Sequence, residues 1–118
     1  MSPRTGQIDY IEFPGVDAAT LQRVKAFYGQ AFDWEFQEWG AHYVDTASSG
    51  VGAGFDATPQ TAISRPLAVI FSSDLEQTLA DVQAAGGQIT RAIFPFPGGR
   101  RFHFVDPAGN ELAAWSPQ

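Results

Sequence analysis

Of the side chains whose types transfer protons or bind metal, Glu12, His42 and His103 stand where they could act together. Glu12 lies in the mainly apolar run Tyr10-Ile11-Glu12-Phe13, where an ionised carboxylate is costly without a partner. His103 lies in Arg101-Phe102-His103-Phe104-Val105. A carboxylate and an imidazole that reach one substrate can work as an acid/base pair. Glu12, His42 and His103 together would make an unusual nitrogen and oxygen metal site. The same residues also have plain structural roles. Arg101 can neutralise Glu12 in an ion pair, or Glu12 can reach water at a rim. Either histidine can be a hydrogen-bonded residue of a sheet, and Arg100-Arg101 can be a solvated pair at a strand start.

Composition closes several other routes. The chain has no cysteine, so disulfides, thiolate metal sites and cysteine nucleophiles are excluded. A net charge of −6 repels phosphate backbones, and no nucleic-acid partner is expected; cationic or neutral ligands are easier to hold. With 118 residues, 44% of them hydrophobic, the chain can bury about two-thirds of its unfolded surface, enough for one core. No run approaches the roughly 18 apolar residues of a membrane span. Met1-Ser2-Pro3-Arg4-Thr5-Gly6 lacks the apolar centre of a signal peptide. A soluble, cytoplasmic protein with no membrane partner is expected.

The elements that must position these side chains come in two similar sets. Ile8 to Phe13 alternates and reads as a strand. Asp17 is an N-cap for a helix with Leu21, Val24, Phe27 and Tyr28 on its apolar stripe and Gly29 near its stop. Trp34 to Glu38, Ala41 to Thr46 and Val51 to Asp56 read as three short strands. In the second half Leu67 to Phe71 is a strand, Ser73 and Glu76 have capping-box spacing, and Leu75, Leu79 and Val82 form a stripe that Gly86-Gly87 ends. Gln88 to Phe94, Arg101 to Val105 and Glu111 to Trp115 follow as strands, with Phe94 to Gly99 as a loop. Four matches fall in the same order: Asp17 with Asp74, Gly29-Gln30 with Gly87-Gln88, His42-Tyr43-Val44-Asp45 with His103-Phe104-Val105-Asp106, and Ala53-Gly54-Phe55 with Ala113-Ala114-Trp115. Their collinearity reads as a duplication.

Two βαβββ modules, the run Ala26-Phe27-Tyr28-Gly29 before Phe32-Asp33-Trp34, and above all Asp106-Pro107-Ala108-Gly109-Asn110 resemble the vicinal oxygen chelate superfamily. That group includes glyoxalases, bleomycin-resistance proteins, fosfomycin-resistance enzymes and extradiol dioxygenases. The last run is similar to the family's DP-x-GN turn between its final two strands. The resemblance covers roughly residues 7 to 116. It implies an α+β fold: two tandem βαβββ modules forming a curved, cup-shaped mixed sheet with helices outside. Residues 1–118 would be a single domain, with module 1 at about 7–56, a linker at 57–65 and module 2 at about 66–116. Homodimers are common in the family and one is expected here.

The resemblance also implies where a metal would bind. The family's first-strand ligand positions fall on Tyr10 and Leu67, its last-strand glutamate falls on Ala113, and the remaining position falls near Gly52 or Ala53. None is His, Asp or Glu, whereas a divalent ion needs several such donors. No metal and no other cofactor are expected. If Tyr10 and Leu67 face the cup, strand alternation places Ile8, Glu12, Val69 and Phe71 there as well, and turns Ile11, Phe13, Ala68 and Ile70 toward the helices. Arg101 and His103 line the cup if Phe102 and Phe104 pack on a helix. The expected ligand-binding set is Tyr10, Glu12, His42, Phe55, Phe71, Arg101, His103 and Trp115. Such an aromatic lining suits a small cationic or aromatic compound, bound without metal in the manner of the drug-sequestering bleomycin-resistance branch. A glyoxalase-like lyase or isomerase using Glu12 and His103, and a ligand-free interaction module, are the alternatives.

Overall fold

The computed structural model describes residues 4–59 and 63–118. Two helices accompany eight strands in mixed parallel and antiparallel pairing, an α+β arrangement. In chain order the elements are β1 (Ile8–Pro14), α1 (Ala18–Phe32), β2 (Gln37–Glu38), β3 (Tyr43–Thr46), β4 (Gly52–Asp56), β5 (Leu67–Phe71), α2 (Leu75–Ala84), β6 (Gln88–Phe96), β7 (Gly99–Val105) and β8 (Glu111–Ser116). The duplicated βαβββ order is therefore present. Part of the expected linker, residues 60–62, lies outside the described residues, as do the first three residues of the chain. Among the described residues no helix is long and apolar enough to cross a membrane.

The chain falls into two compact units, Tyr10–Leu67 and Met1–Asp9 with Ala68–Gln118. In the first the strand order is β2-β3-β4-β1. β1 runs parallel to β4, and β3 runs antiparallel to both β4 and β2. Leu21 of α1 is fully buried against Val44, Phe55 and Ala57, with Phe13, Val24, Tyr28 and Phe36 around them. Phe13 and Phe55 stack at 5.0 Å between ring centroids. In the second unit the order is β5-β8-β7-β6, with β5 parallel to β8 and the rest antiparallel. Its core is Leu75, Phe102, Phe104 and Ala114, covered by Ile70, Leu79, Val82 and Ile93 among others. Each amphipathic helix thus buries its stripe on one face of its strands, and the other face is free to present polar and aromatic groups.

Local signals explain most boundaries. Asp17 caps α1 by accepting from the Thr20 backbone N–H at 2.7 Å. The second N-cap is Asp74, accepting from Gln77 N–H at 3.1 Å, rather than the expected Ser73. Ser73 instead exchanges hydrogen bonds with Thr5. α1 also runs past Gly29 to Phe32. A glycine inside a helix costs only about 1 kcal/mol relative to alanine. Asp33, in the left-handed region at φ 64°, closes the helix by donating its N–H to the Gly29 carbonyl, and the Tyr28 and Trp34 rings stack at 4.6 Å across that end. The expected loop from Phe94 to Gly99 is a tight β6–β7 hairpin: Phe96 pairs with Gly99, leaving only Pro97 and Gly98 at its tip.

The Asp106-Pro107-Ala108-Gly109-Asn110 run has a clear mechanical reason. Asp106 Oδ1 accepts from the N–H groups of Ala108 and Asn110, both at 2.9 Å, and Oδ2 accepts from the Asn110 side chain at 3.1 Å. Gly109 sits at φ 86°, where a side chain is disfavoured. One carboxylate thus organises the whole β7–β8 turn, and these bonds hold its pKa below the ordinary aspartate value, the Asn110 side chain contributing most.

Candidate functional site

On the face of β5-β8-β7-β6 turned away from α2, the register lays side chains out in two rows. One row is Val69, Ala113, His103 and Arg91; the next is Phe71, Trp115, Arg101 and Phe94. The alternate residues Ile70, Ala114 and Phe102 lie in the helix-side core. Arg100 belongs to that side too and pairs with Glu76 of α2. The expected facing of Phe71, Arg101, His103 and Trp115 is therefore present within this unit. Two register shifts in β6, either side of Arg91, place Phe94 opposite Arg101, three residues beyond Arg91 instead of two. Such irregularities re-aim side chains next to binding surfaces.

Aromatic groups dominate this face. Trp115 lies 5.7 Å from Phe71, edge to face, and 6.3 Å from Phe96. Its indole N–H donates to the Asp9 carboxylate, at 3.0 and 3.2 Å from the two oxygens. Burial raises the Asp9 pKa, and the Trp115 hydrogen bond partly offsets this. The guanidinium of Arg91 stands 3.7 Å from the Phe94 ring centroid, and that of Arg101 stands 5.5 Å from Phe94 and 5.8 Å from Phe96. Cations over aromatic faces are mutually stabilising, most when water is excluded.

His103 lies on the same face with its ring 5.7 Å from that of Phe94, and is only 4% exposed. Its Nδ1 is 3.7 Å from Glu111 Oε2, which accepts from the Thr90 hydroxyl at 2.9 Å. Its Nε2 is buried and has no hydrogen-bond partner among the described residues. Burial, and next the Arg101 guanidinium, push the imidazole pKa down to about 4, against the pull of Glu111. The imidazole is neutral at pH 7.

The first unit holds a different cluster on its own helix-free face. Tyr10 and Tyr43 meet hydroxyl to hydroxyl at 2.5 Å, and Tyr43 donates to Glu12 Oε2 at 3.2 Å. Glu12 is 4% exposed. Burial, reinforced by the Glu12 carboxylate, raises the Tyr43 pKa, so the phenol keeps its proton. Gly54 makes the cluster possible. A Cβ there would stand 2.0 Å from the Tyr10 oxygen and 2.1 Å from that of Tyr43.

Two expected lining residues are placed elsewhere. Phe55 pairs with Phe13 and Val44 and points into the helix-side core. Gly54, one residue earlier, pairs with Glu12 and Asp45 just as Ala113 pairs with Val69 and His103. The two last strands therefore align at Gly54 and Ala113, and a one-residue slip in the sequence alignment had reversed the face of Phe55. The same register makes Asp45 the counterpart of His103, and Tyr43 that of Arg101. His42 is exposed and precedes β3; its carbonyl accepts from the Ala57 N–H at 2.8 Å. Tyr43, Asp9, Arg91, Glu111, Phe94 and Phe96 were not in the expected set. Phe94 ends the expected strand and Phe96 falls in the expected loop, and the Phe-Pro-Phe alternation is the signal that they share a strand face.

The resemblance implies a metal at Tyr10, Leu67, Ala113 and a fourth position, which the register moves from Gly52 or Ala53 to Gly54. A phenol, an isobutyl group, a methyl group and a bare hydrogen do not make a divalent-cation shell. Among the described residues no group of three or more His, Asp and Glu side chains could hold a metal ion. The residues present do not fit the family's metal.

Comparison with known proteins gives a family and a fold. The family model described as Glyoxalase/Bleomycin resistance protein/Dioxygenase superfamily matches residues 7–114. The crystal structure of methylmalonyl-CoA epimerase from Mycobacterium tuberculosis is similar, with a TM-score of 0.68 at 10% identity, covering 100% of this chain and 92% of that one. A superfamily member from Vibrio splendidus has a TM-score of 0.68 at 17% identity, over 91% of this chain and 96% of its own. The Mn(II)-bound glyoxalase from Novosphingobium aromaticivorans has a TM-score of 0.66 at 19% identity; 98% of this chain matches 40% of that one. At such identities the likeness concerns the fold. No curated protein matches the chain.

Proposed function

The chain belongs to the glyoxalase/bleomycin resistance protein/dioxygenase superfamily, and on that premise we propose that it binds a small aromatic compound, without metal, on the helix-free face of β5-β8-β7-β6. The observation that carries this reading is the grouping of Phe71 and Phe96 about Trp115 on the same face as Phe94 and the buried His103 it packs against. Small-molecule sites combine apolar aromatic surface with a few oriented polar groups. The net charge of −6 favours a cation over an anion at long range, but Arg91 and Arg101 line this face, so the aromatic part of the ligand carries the affinity. Metal independence rests on the donor positions, which are Tyr10, Leu67, Gly54 and Ala113.

Fluorescence tests the reading directly. Titration with neutral and cationic bicyclic aromatic compounds should quench saturably, and the response should vanish in Trp115→Phe while Trp34 and Trp39 still emit. Absence of saturable quenching and of any thermal shift across the panel would remove it. A second reading, a lyase or isomerase using His103 as a base, draws support from Glu111 beside Nδ1. We expect no turnover of glutathione hemithioacetals above background. A rate that disappears in His103→Ala would favour the enzyme.

A further inference from the structure

We propose that the compound bound beside His103 carries a hydrogen-bond donor on its aromatic ring, a phenol, arylamine or azole N–H, and that His103 Nε2 accepts that hydrogen bond. This rests on the reading just given and specifies the ligand class. A neutral imidazole has one N–H and one lone pair, and its surroundings decide which nitrogen carries which. The Glu111 carboxylate, 3.7 Å from Nδ1 and fixed by the Thr90 hydroxyl, can only accept and draws the proton to Nδ1. The lone pair is then left on Nε2, the buried atom without a partner among the described residues.

The charged groups around the ring keep it in that state. Arg101 on β7 and Arg91 on β6 oppose a positive imidazole, burial opposes it more strongly, and Glu111 on β8 favours it but does not prevail. A lone pair selects a donor and rejects a carboxylate, so the two guanidiniums do not make this an anion site. Because Nε2 is covered, the ligand must displace a neighbour. Phe94, set on the irregular part of β6, is the aromatic side chain packed against the imidazole, 5.7 Å between ring centroids. A ligand ring taking its place keeps the cation–π contacts of Arg91 and Arg101.

Three probes of one shape test this at pH 7.5 by calorimetry: 2-naphthol (donor), 2-methoxynaphthalene (no donor) and 2-naphthoate (anion). Naphthol should bind at least about tenfold tighter than the ether, a difference of about 1.4 kcal/mol. The preference should collapse in His103→Phe. If the His103→Phe variant fails to fold, the imidazole nitrogen resonances of the native protein serve instead. Naphthol should shift the Nε2 signal and leave Nδ1 nearly unchanged. Equal affinity for naphthol and ether, tightest binding of naphthoate, or a motionless Nε2 signal in a naphthol-bound sample would overturn the donor assignment while leaving aromatic binding intact. Binding of none of the three at millimolar concentration would overturn both.

Discussion

The hydroxyl of Tyr10 lies 2.5 Å from the hydroxyl of Tyr43, over Gly54 of β4, which has no side chain to interfere. Tyr10 is a position that the resemblance assigns to a metal ligand, and Gly54 is where the strand register moves the fourth. Between them stands a hydrogen-bonded chain, Tyr10 to Tyr43 to Glu12, in which the Tyr43 phenol stays protonated. The buried carboxylate therefore has a donor from this chain of hydroxyls.

Gly54→Ala should destabilise the protein by about 1–3 kcal/mol, the usual cost of overpacking, because the new methyl group forces both tyrosines to move. The same substitution in a Tyr10→Phe, Tyr43→Phe background should cost less, since the two closest atoms are gone. Urea unfolding of the four proteins gives the comparison; equal costs in both backgrounds would refute the packing explanation.

His103 predicts an acid-sensitive stability. Its pKa in the fold, about 4, lies below the 6.5 of a free imidazole, so between these values the unfolded chain binds a proton that the folded chain does not. The contribution is full above pH 6.5 and is lost as pH falls through about 4. Between pH 7 and pH 5 it amounts to about 2 kcal/mol. A His103→Gln variant should lose that much less stability over the same interval, measured by urea midpoints. Parallel pH profiles for the two proteins would contradict the assignment.

Trp115 and Asp9 predict a coupled change. Replacing Trp115 by Phe removes the indole donor that holds down a carboxylate already raised by burial. The Asp9 pKa should then rise further, followed by the carboxyl carbon resonance in an NMR titration. A pKa that falls or stays put would mean the indole bond does not act on it.

Metal removal should have no effect. Protein purified without chelator, then titrated with zinc, nickel, iron or manganese, should show no stoichiometric uptake, and EDTA should leave the melting temperature unchanged. One tightly held metal per chain with nitrogen ligands would reverse the reading of the donor positions.

Much of the fold was legible in local chemistry. The alternation of Ile8 to Phe13, the stripe of Leu75, Leu79 and Val82, the Asp17 cap and the Asp106 to Asn110 turn are all short-range effects, and a sequence displays them directly. The repeat was legible too, but its register was not. The matches of His42 with His103 and of Phe55 with Trp115 were similarities of letters at the wrong offsets. Pairing across strands sets the true offsets, 58 for β3 with β7 and 59 for β4 with β8. The hairpin from Phe94 to Gly99 was missed for the same reason. Prolines and glycines suggest a loop after Phe94, whereas pairing to β7 extends the strand to Phe96.

By itself the sequence determined that the chain has no thiol, few imidazoles and no donor at the family's ligand positions, because those are facts of side-chain chemistry that folding cannot alter. Only the tertiary structure decided which groups meet. Strand side chains alternate with a period of two, so a single residue of register carries a group from one face to the other. That is why Phe55 went to the core and Gly54 to the cluster. It is also why His103 ended with one nitrogen facing Glu111 and the other buried.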